Sequence, residues 1–320
     1  MDPLPIVSVA VATYQRRDRV RRLIDALEKQ TLDADSFEVI VADDASMDDT
    51  YQLLEELSRT SGIHLRFLRN ETNLGPAASR NRAWRSARAP IIAFTDDDCV
   101  PVPRWLELGV KQVTDGTDVL VGKTSPNPEQ IRSLRPFSRT MDTTDERYYA
   151  TCNIFYRRDD LEAVGGFDDG FKNPGGEDID LAYRVRRLGR RTGFAPEVLV
   201  LHDVRPPSFR ATVRETMRWE GIVRCTARNP REARREHLWR RYFWKPSHPR
   251  VILAMLGLVM APLIPIALGL TVPYLSMRLG GRGWRARARR LILLPPTFVI
   301  DVLEVYVMSR ASLKYRTLVL

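Results

Sequence analysis

The 320-residue sequence has only three cysteines, Cys99, Cys152 and Cys225, with no ligand-like spacing among them. That excludes a disulfide framework and a thiolate zinc site, and it fits a reducing compartment. No internal repeat and no low-complexity tract stands out beyond a few arginine-rich stretches, so a repeat architecture is excluded. No signal-peptide pattern opens the chain, because Met1-Asp2-Pro3 leads straight into an apolar run; the front half is expected to stay in the cytoplasm. Acidic residues are scarce only towards the end. Residues 204–320 hold 6 Asp and Glu against 22 Lys and Arg, whereas residues 1–203 hold 34 against 28. An acidic front joined to a back part of net charge +16 reads as two jobs in one chain, the second at an anionic membrane leaflet or on nucleic acid.

The apolar periodicity is that of an α/β fold. Ile6 to Ala12 and Phe37 to Ala42 are short β-branched runs, His64 to Leu68 is a third strand, and Ile91 to Phe94 a fourth. Between them lie helical patterns over about Arg17 to Lys29, Asp48 to Ser58, and from Gly75-Pro76 to about Ala87. Strands alternating with helices predict a mostly parallel sheet with helices on both faces. Ligands bind such sheets outside the carboxyl ends of the strands, where Asp43-Asp44 and Asp96-Asp97-Asp98 stand.

Three adjacent carboxylates repel one another unless a cation or a hydrogen-bonding ligand compensates them. Hard oxygen ligands of this kind suit Mg or Mn. A helix cap before Pro103 would use one Asp and leave two unexplained. A second cluster, Gly175-Gly176-Glu177-Asp178-Ile179-Asp180, opens a helix continued by Leu181, Val185 and Leu188. Acidic first turns occur for dipole reasons alone. Paired with the Asp96 cluster, one group can hold metal and the other act as a general base. His202, after the apolar run Val198 to Leu201, is either structural or a further metal ligand.

In order along the chain, IVSVAVATYQR (6–16), VIVADDAS (39–46), NLGPAASRN (73–81), AFTDDDCVP (93–101), GGFDDGF (165–171) and GGEDIDLAYRVRRLG (175–189) resemble the family-2 glycosyltransferases. The resemblance covers about residues 5–205. It implies a GT-A (Rossmann-like) fold, a nucleotide-sugar donor, a divalent cation and an inverting reaction. It further implies that Thr13 and Asp43 hold the nucleobase with Asp44 close by, and that Arg80 and Asn81 line the nucleotide pocket. Asp98 is then the metal ligand, with Asp96 or Asp97 at the ribose or in the metal shell, and His202 completes the metal site. Asp178, with Glu177 beside it, resembles the catalytic base. Glu215-Thr216-Met217-Arg218-Trp219 only partly matches the Gln-x-x-Arg-Trp element of processive members, so a non-processive enzyme is expected.

These patterns divide the chain into a catalytic domain over 1–204, basic aromatic-rich juxtamembrane helices over 205–250, and a membrane-associated helical region over 251–320. Residues 251–277 carry no charge and are long enough to cross a bilayer, although Pro262, Pro265 and Pro273 leave a hairpin open. Leu291 to Met308, with Pro295-Pro296, Asp301 and Glu304, is expected to be a poor spanning segment and an amphipathic surface helix. The apolar stretch favours a membrane over nucleic acid as the partner of the arginines. A lipid-linked or glycolipid acceptor is therefore expected, at a cell membrane with the catalytic domain cytoplasmic. Asp43 suits the ring N–H of uracil, and also that of thymine or guanine; a UDP-sugar is favoured. Two other readings stay open: a nucleotidyltransferase, whose usual Gly-rich, Lys-containing phosphate loop is missing at Thr13 to Arg16, and a non-catalytic membrane-surface or nucleic-acid binding protein. Gly122 to Thr151 is expected to be a loop near the acceptor.

Overall fold

The computed structural model describes residues 4–132, 134–206, 208–280 and 283–320. The chain divides between residues 207 and 208 into two compact units. The first runs β1 (Val7–Thr13), α1 (Arg17–Leu27), β2 (Phe37–Asp43), α2 (Thr50–Thr60), β3 (His64–Arg69), α3 (Pro76–Arg85), β4 (Ile91–Thr95), β5 (Cys99–Pro101), α4 (Trp105–Thr114), β6 (Val119–Pro126), α5 (Pro128–Ile131), β7 (Asn153–Arg157), α6 (Arg158–Val164), α7 (Glu177–Arg186) and β8 (Thr192–His202). Its eight strands form one sheet in the order β3-β2-β1-β4-β7-β6-β8-β5. The first four strands in that order are mutually parallel, whereas β7 and β5 pair antiparallel to their neighbours. The sheet is thus mostly parallel at one edge and mixed at the other. The first part of the expected loop at 122–151 belongs instead to β6, which pairs with β8 through Pro126.

Alternation along the strands sorts side chains onto two faces. Val7, Val9 and Val11 of β1 and Val39 and Val41 of β2 join one core with Leu23 and Leu27 of α1, Leu53 and Leu57 of α2, and Trp105 of α4. The opposite face is covered by α3, which packs on β1 and β2, and carries Phe94 edge-on to Phe167 with ring centroids 5.2 Å apart. At the mixed edge the β6–β8 register breaks between Gly122 and Lys123. Asn153 seals that break, its amide donating to the carbonyls of Lys123 and Val198 at 2.8 Å each while Trp105 Nε1 donates to its Oδ1 at 2.8 Å. The break lets β8 continue to His202, which pairs with Cys99 of β5.

The second unit holds α8 (Phe209–Thr216), α9 (Glu220–Arg228), α10 (Pro230–Glu236), α11 (His248–Met260), a 3-10 helix (Pro265–Thr271), α12 (Val272–Leu279) and α13 (Trp284–Lys314). The uncharged stretch 251–277 is not one helix. It is cut into three pieces, with Pro265 and Pro273 each in the first turn of the piece it opens, where a missing N–H costs least. Among the described residues, the helix long and apolar enough to cross a membrane, by length and composition, is instead the 31-residue α13. By length and composition alone α13 is thus a better spanning candidate than was expected of Leu291 to Met308. Pro295 and Pro296 sit inside α13 without ending it. Asp301 and Glu304 are buried rather than turned to water, Asp301 accepting from Tyr274 Oη at 2.7 Å and pairing with Arg278, Glu304 accepting from Lys245 Nζ at 2.6 Å.

Gly109 tests the packing of the first unit. A Cβ there would lie 2.3 Å from the ring of Phe155, which is fully buried against Trp105. Replacing a helical Gly by Ala stabilises by about 1 kcal/mol on propensity alone, whereas overpacking a core costs about 1–3 kcal/mol. Gly109→Ala is expected to lower the melting temperature of the full chain by about 2–4 °C per kcal/mol lost. A rise in melting temperature would show that this core is loose.

Candidate active site

The site grows from the carboxyl ends of β1, β2 and β4. The chain turns sharply after the first two, so that Gln15 and Ala45 take φ of 53° and 63°, a conformation that side chains larger than glycine rarely adopt. Gln15 N–H donates to Ser46 Oγ at 2.8 Å and ties the two turns together. Parallel register sets Thr13 beside Asp43, and Asp43 beside Arg69. Tyr14, Ala45, Met47, Arg69, Asn70, Glu71 and Asn73 line an open cavity of about 580 Å³ at these strand ends. Asp43 is fully buried and its Oδ2 has no hydrogen-bond partner; the nearest cation is Arg69, at 3.8 Å.

Asp44 and Asn81, expected beside the nucleotide, are committed to the framework. Asp44 Oδ1 accepts from Asn70 Nδ2 at 2.7 Å and Leu74 N at 2.8 Å, and its Oδ2 accepts from Gly75 N at 2.9 Å. Asn81 donates to Phe167 O and Asp169 Oδ1 at 2.8 and 2.7 Å, and accepts from Trp84 Nε1 and Phe167 N at 2.9 Å each. With donors and acceptor all engaged, Asn81 fixes the GGFDDGF segment against α3 and has little left for a ligand. The motif was legible in the sequence; what its polar groups would satisfy was not.

The three aspartates after β4 separate. Asp96 accepts from Arg80 Nη2 at 2.7 Å. Burial raises its pKa, but the charge and hydrogen bond of Arg80 outweigh that and hold the carboxyl below its usual range. Asp97 accepts from Thr13 Oγ1 at 2.8 Å and from Arg16 at 2.5 Å. Burial first, and the nearby Asp98 charge, still lift it to about 6. Thr13 therefore supports Asp97 directly. Asp98 faces Arg16, Arg19 and Arg205, each 3.3 Å from Oδ2, and His202, whose Nε2 lies 3.4 Å from Oδ1. These three arginines escaped the sequence reading. The only signal was Arg16 and Arg19 three apart at the start of a helix, and Arg205 three after His202.

Among the described residues, Asp98, Cys99 and His202 are the metal-type group brought together, with one ligand atom from each within 4.8 Å. Asp96, proposed from sequence for the same site, lies on Arg80 and outside that group. His202 Nδ1 lies 2.8 Å from the carbonyl of Asp203. A carbonyl accepts only, so Nδ1 carries a proton, which leaves Nε2 as the ring nitrogen that faces Asp98. Burial raises the Cys99 thiol well above its ordinary pKa and keeps it protonated. A carboxylate oxygen and an imidazole nitrogen remain, a donor set able to take a divalent cation.

The second cluster closes the site. Gly175 and Gly176 take φ of 144° and 89° before α7, values open to glycine. Glu177 is buried and accepts from Arg80 Nη1 at 3.3 Å. Arg80 thus links Asp96 to Glu177. Asp178 keeps part of its surface open, and its Oδ1 accepts from Ile179 N at 2.8 Å. Burial, and then the charge of Glu177, push Asp178 up to about 7.

Comparison with known proteins agrees with this geometry. The family described as Glycosyl transferase family 2 matches residues 8–167, and a related one, Glycosyl transferase family group 2, matches residues 91–278. The chain belongs to glycosyl transferase family 2, and it is a glycosyltransferase with the GT-A fold. It is similar to the glycosyltransferase AglE of Haloferax volcanii, at 30% identity over 63% of this chain and 68% of that one. It also resembles validoxylamine A glucosyltransferase of Streptomyces hygroscopicus, at 27% identity over 58% of this chain but only about half (52%) of that protein. Among solved structures it resembles the mannosyltransferase PcManGT of Pyrobaculum calidifontis, determined with GDP-Man and Mn2+, at a TM-score of 0.60 and 21% identity over 98% of this chain and 88% of that one. A likeness to S. aureus TarS 1–349 in complex with UDP has a TM-score of 0.52 and 18% identity over 93% and 90% of the two chains.

The raised Asp178 carries a stability prediction. A carboxyl whose folded pKa lies above its unfolded value holds a proton in the fold that the unfolded chain has lost. Stability therefore falls as pH rises from about 4 to about 7, and the cost is complete above that. Asp178→Asn is expected to raise the melting temperature at pH 8 and to leave it nearly unchanged near pH 4. A lower melting temperature at pH 8 would mean that the charge of Asp178 is well accommodated.

Proposed function

We propose that this glycosyltransferase moves a sugar from a nucleoside-diphosphate sugar, a UDP-sugar being favoured, to a lipid-linked or glycolipid acceptor at the cytosolic face of a membrane. The reaction inverts the anomeric carbon, is non-processive, and uses Mn or Mg. The observation that carries the reading is the disposition of the acids: Arg80 joins Asp96 to Glu177, with Asp98 and the Nε2 of His202 following Asp96 and with Asp178 following Glu177. Relatives holding GDP-Man with Mn2+ or UDP support the donor class, and the fold is shared with them.

Asp98 and His202 hold the cation, with Asp96 or Asp97 at the ribose or the metal shell. A dication bound there neutralises charge on the departing diphosphate. Arg16, Arg19 and Arg205, counter-ions of Asp97 and Asp98 in this structure, turn their guanidinium groups to the diphosphate oxygens. Asp43 offers its unpaired Oδ2 to the ring N–H of the base, which serves uracil and also thymine or guanine. Asp178 removes the proton of the acceptor hydroxyl. The acceptor oxygen bonds to the anomeric carbon from the face opposite the diphosphate, and the bond to the leaving oxygen breaks with its electron pair. The proton stays on Asp178 and nucleoside diphosphate departs. A base with a pKa near 7 ionises at working pH and still takes a proton readily. The membrane part of the reading rests on the +16 tail and on α13.

The test is nucleoside diphosphate release by membrane-bound enzyme from a panel of nucleotide-sugars, with Mn or Mg and a lipid extract. Release from one donor is expected, lost with chelator and in Asp98→Ala, and reduced about 10²–10⁴-fold in Asp178→Asn. Activity should rise with pH through about 7. Glu177→Gln, lacking the like charge, should shift that rise to lower pH. Pyrophosphate instead of nucleoside diphosphate would identify a nucleotidyltransferase. Transfer to soluble acceptors alone would remove the lipid acceptor, and release from no donor would leave a binding protein.

A further inference from the structure

We propose that the second unit sits in one leaflet of an anionic membrane as a wedge and does not cross the bilayer. The inserted surface is the turn from α11 through the 3-10 helix together with the apolar stretch of α13 that begins at Leu291. This rests on the membrane association proposed above and specifies its mode.

The exposed apolar side chains of the second unit are densest between Val259 and Val272 and at Leu291 and Ile292, with Tyr306 and Leu313 exposed separately further along α13. Leu263 and Ile266 are 87% exposed, Val259 and Ile292 76%, and Val272 and Leu291 59% each. Residues 251–277 contain no charge. Two contacts bring the segments together. A Cβ on Gly257 would lie 2.6 Å from the carbonyl of Ala267, so the 3-10 helix folds back on α11 and makes a hairpin too short to span. Tyr274, two residues into α12, stacks edge-on against Phe298 with ring centroids 5.4 Å apart, fastening the returning strand of that hairpin to α13 less than two turns from Ile292. Trp284, Arg285, Arg287, Arg289 and Arg290 follow immediately on the N-terminal side, all exposed. An apolar surface bordered by an aromatic and a cluster of arginines is complementary to acyl chains bordered by anionic headgroups.

Length and composition alone allow α13 to span, but its surroundings do not. Near the middle of its apolar part Asp301 pairs with Arg278, and Glu304 pairs with Lys245 and lies 3.3 Å from His248. A spanning α13 would carry this whole layer of charge into the hydrocarbon, where each such side chain is strongly disfavoured. Its companion α11 has 13 residues, about 20 Å of helix against about 30 Å of hydrocarbon. The charge layer instead marks where the wedge ends. Beyond it Val305, Val307, Met308 and Ala311 are buried by the protein itself.

The experiment is flotation of the full chain, taken from mild detergent, with phosphatidylcholine vesicles with and without phosphatidylglycerol. Leu263→Glu with Ile266→Glu forms one variant, and Arg285→Gln with Arg289→Gln and Arg290→Gln another; unchanged melting temperatures control for folding. Binding is expected with the anionic vesicles, released by alkaline carbonate, and weakened about a hundredfold by the arginine variant and at least as much by the glutamate variant. Carbonate-resistant binding with the two ends of α13 cleaved from opposite sides of sealed vesicles would overturn the wedge and leave membrane association standing. Binding to no vesicle would remove both. Self-association in the absence of lipid, abolished by the glutamate variant while flotation persists, would reassign the surface to a second copy of the chain.

Discussion

The candidate site depends on one guanidinium, that of Arg80. Its side chain is 6% exposed and lies between Asp96, at the end of β4, and Glu177, which opens α7. Those two acids are 81 residues apart in sequence, and no backbone pairing joins β4 to α7. Breaking a buried pair by removing one partner typically costs about 3–5 kcal/mol, because a charge is left uncompensated. Here two carboxylates would be left. Arg80 is itself placed by a chain of smaller constraints. Asp44 gathers the amides of Leu74 and Gly75, and Gly75 has room only for hydrogen, since a Cβ would meet the carbonyl of Lys172 at 2.7 Å. That corner starts α3 at Pro76, and α3 carries Arg80 inward. Asp44, expected close to the nucleobase, thereby also helps to aim the arginine.

His202 arrives by a different route. It lies 104 residues after Asp98 and reaches it because β8 runs antiparallel to β5, with Cys99 opposite His202 and the amide of Asp203 donating to the carbonyl of Asp98 at 2.9 Å. The short strand β5 exists only through this pairing. Asp203 is in turn gripped by Arg22 and by Gln130 Nε2, the latter at 3.0 Å. The imidazole is therefore positioned by backbone, and its orientation is set by the same residue that anchors the strand end.

Local signals were legible where they coincided with the fold. The four opening strands stand within a residue or two of the runs that announced them; in β1, β2 and β4 β-branched residues buried on both faces leave little else for those segments to be, whereas β3 is a half-exposed edge strand. The acidic clusters were legible because carboxylates crowded at strand ends have few structural uses. What could not be read was pairing at a distance. Nothing in the sequence says that Asn81 is saturated by the GGFDDGF segment, or that three arginines converge on Asp98. The second unit shows the same limit in reverse. Asp301 and Glu304 argue against an apolar helix only while their partners are unknown; with Arg278 and Lys245 in place they become internal joints of α13.

The distribution of guanidinium groups also sorts the acids by protonation. Asp96 has Arg80 against it and is held below the ordinary carboxylate range despite its burial. Asp178 lies half-buried beside another carboxylate, with Arg80 hydrogen-bonded elsewhere, and is lifted towards neutrality. Two acids of the same chemistry, one paired with Arg80 and the other beside Arg80's second partner Glu177, are pushed apart by their neighbours. That divergence is what lets one stay a permanent anion while the other gains and loses a proton near pH 7. The like charge of Glu177 is part of the arrangement: it is close enough to raise Asp178, yet its own charge is matched by Arg80. A fold selected for stability alone would have separated Glu177 from Asp178 or given each its own arginine. Keeping them adjacent at the first turn of α7, behind two glycines in conformations that only glycine adopts readily, retains an unfavourable contact beside the residue proposed as the base.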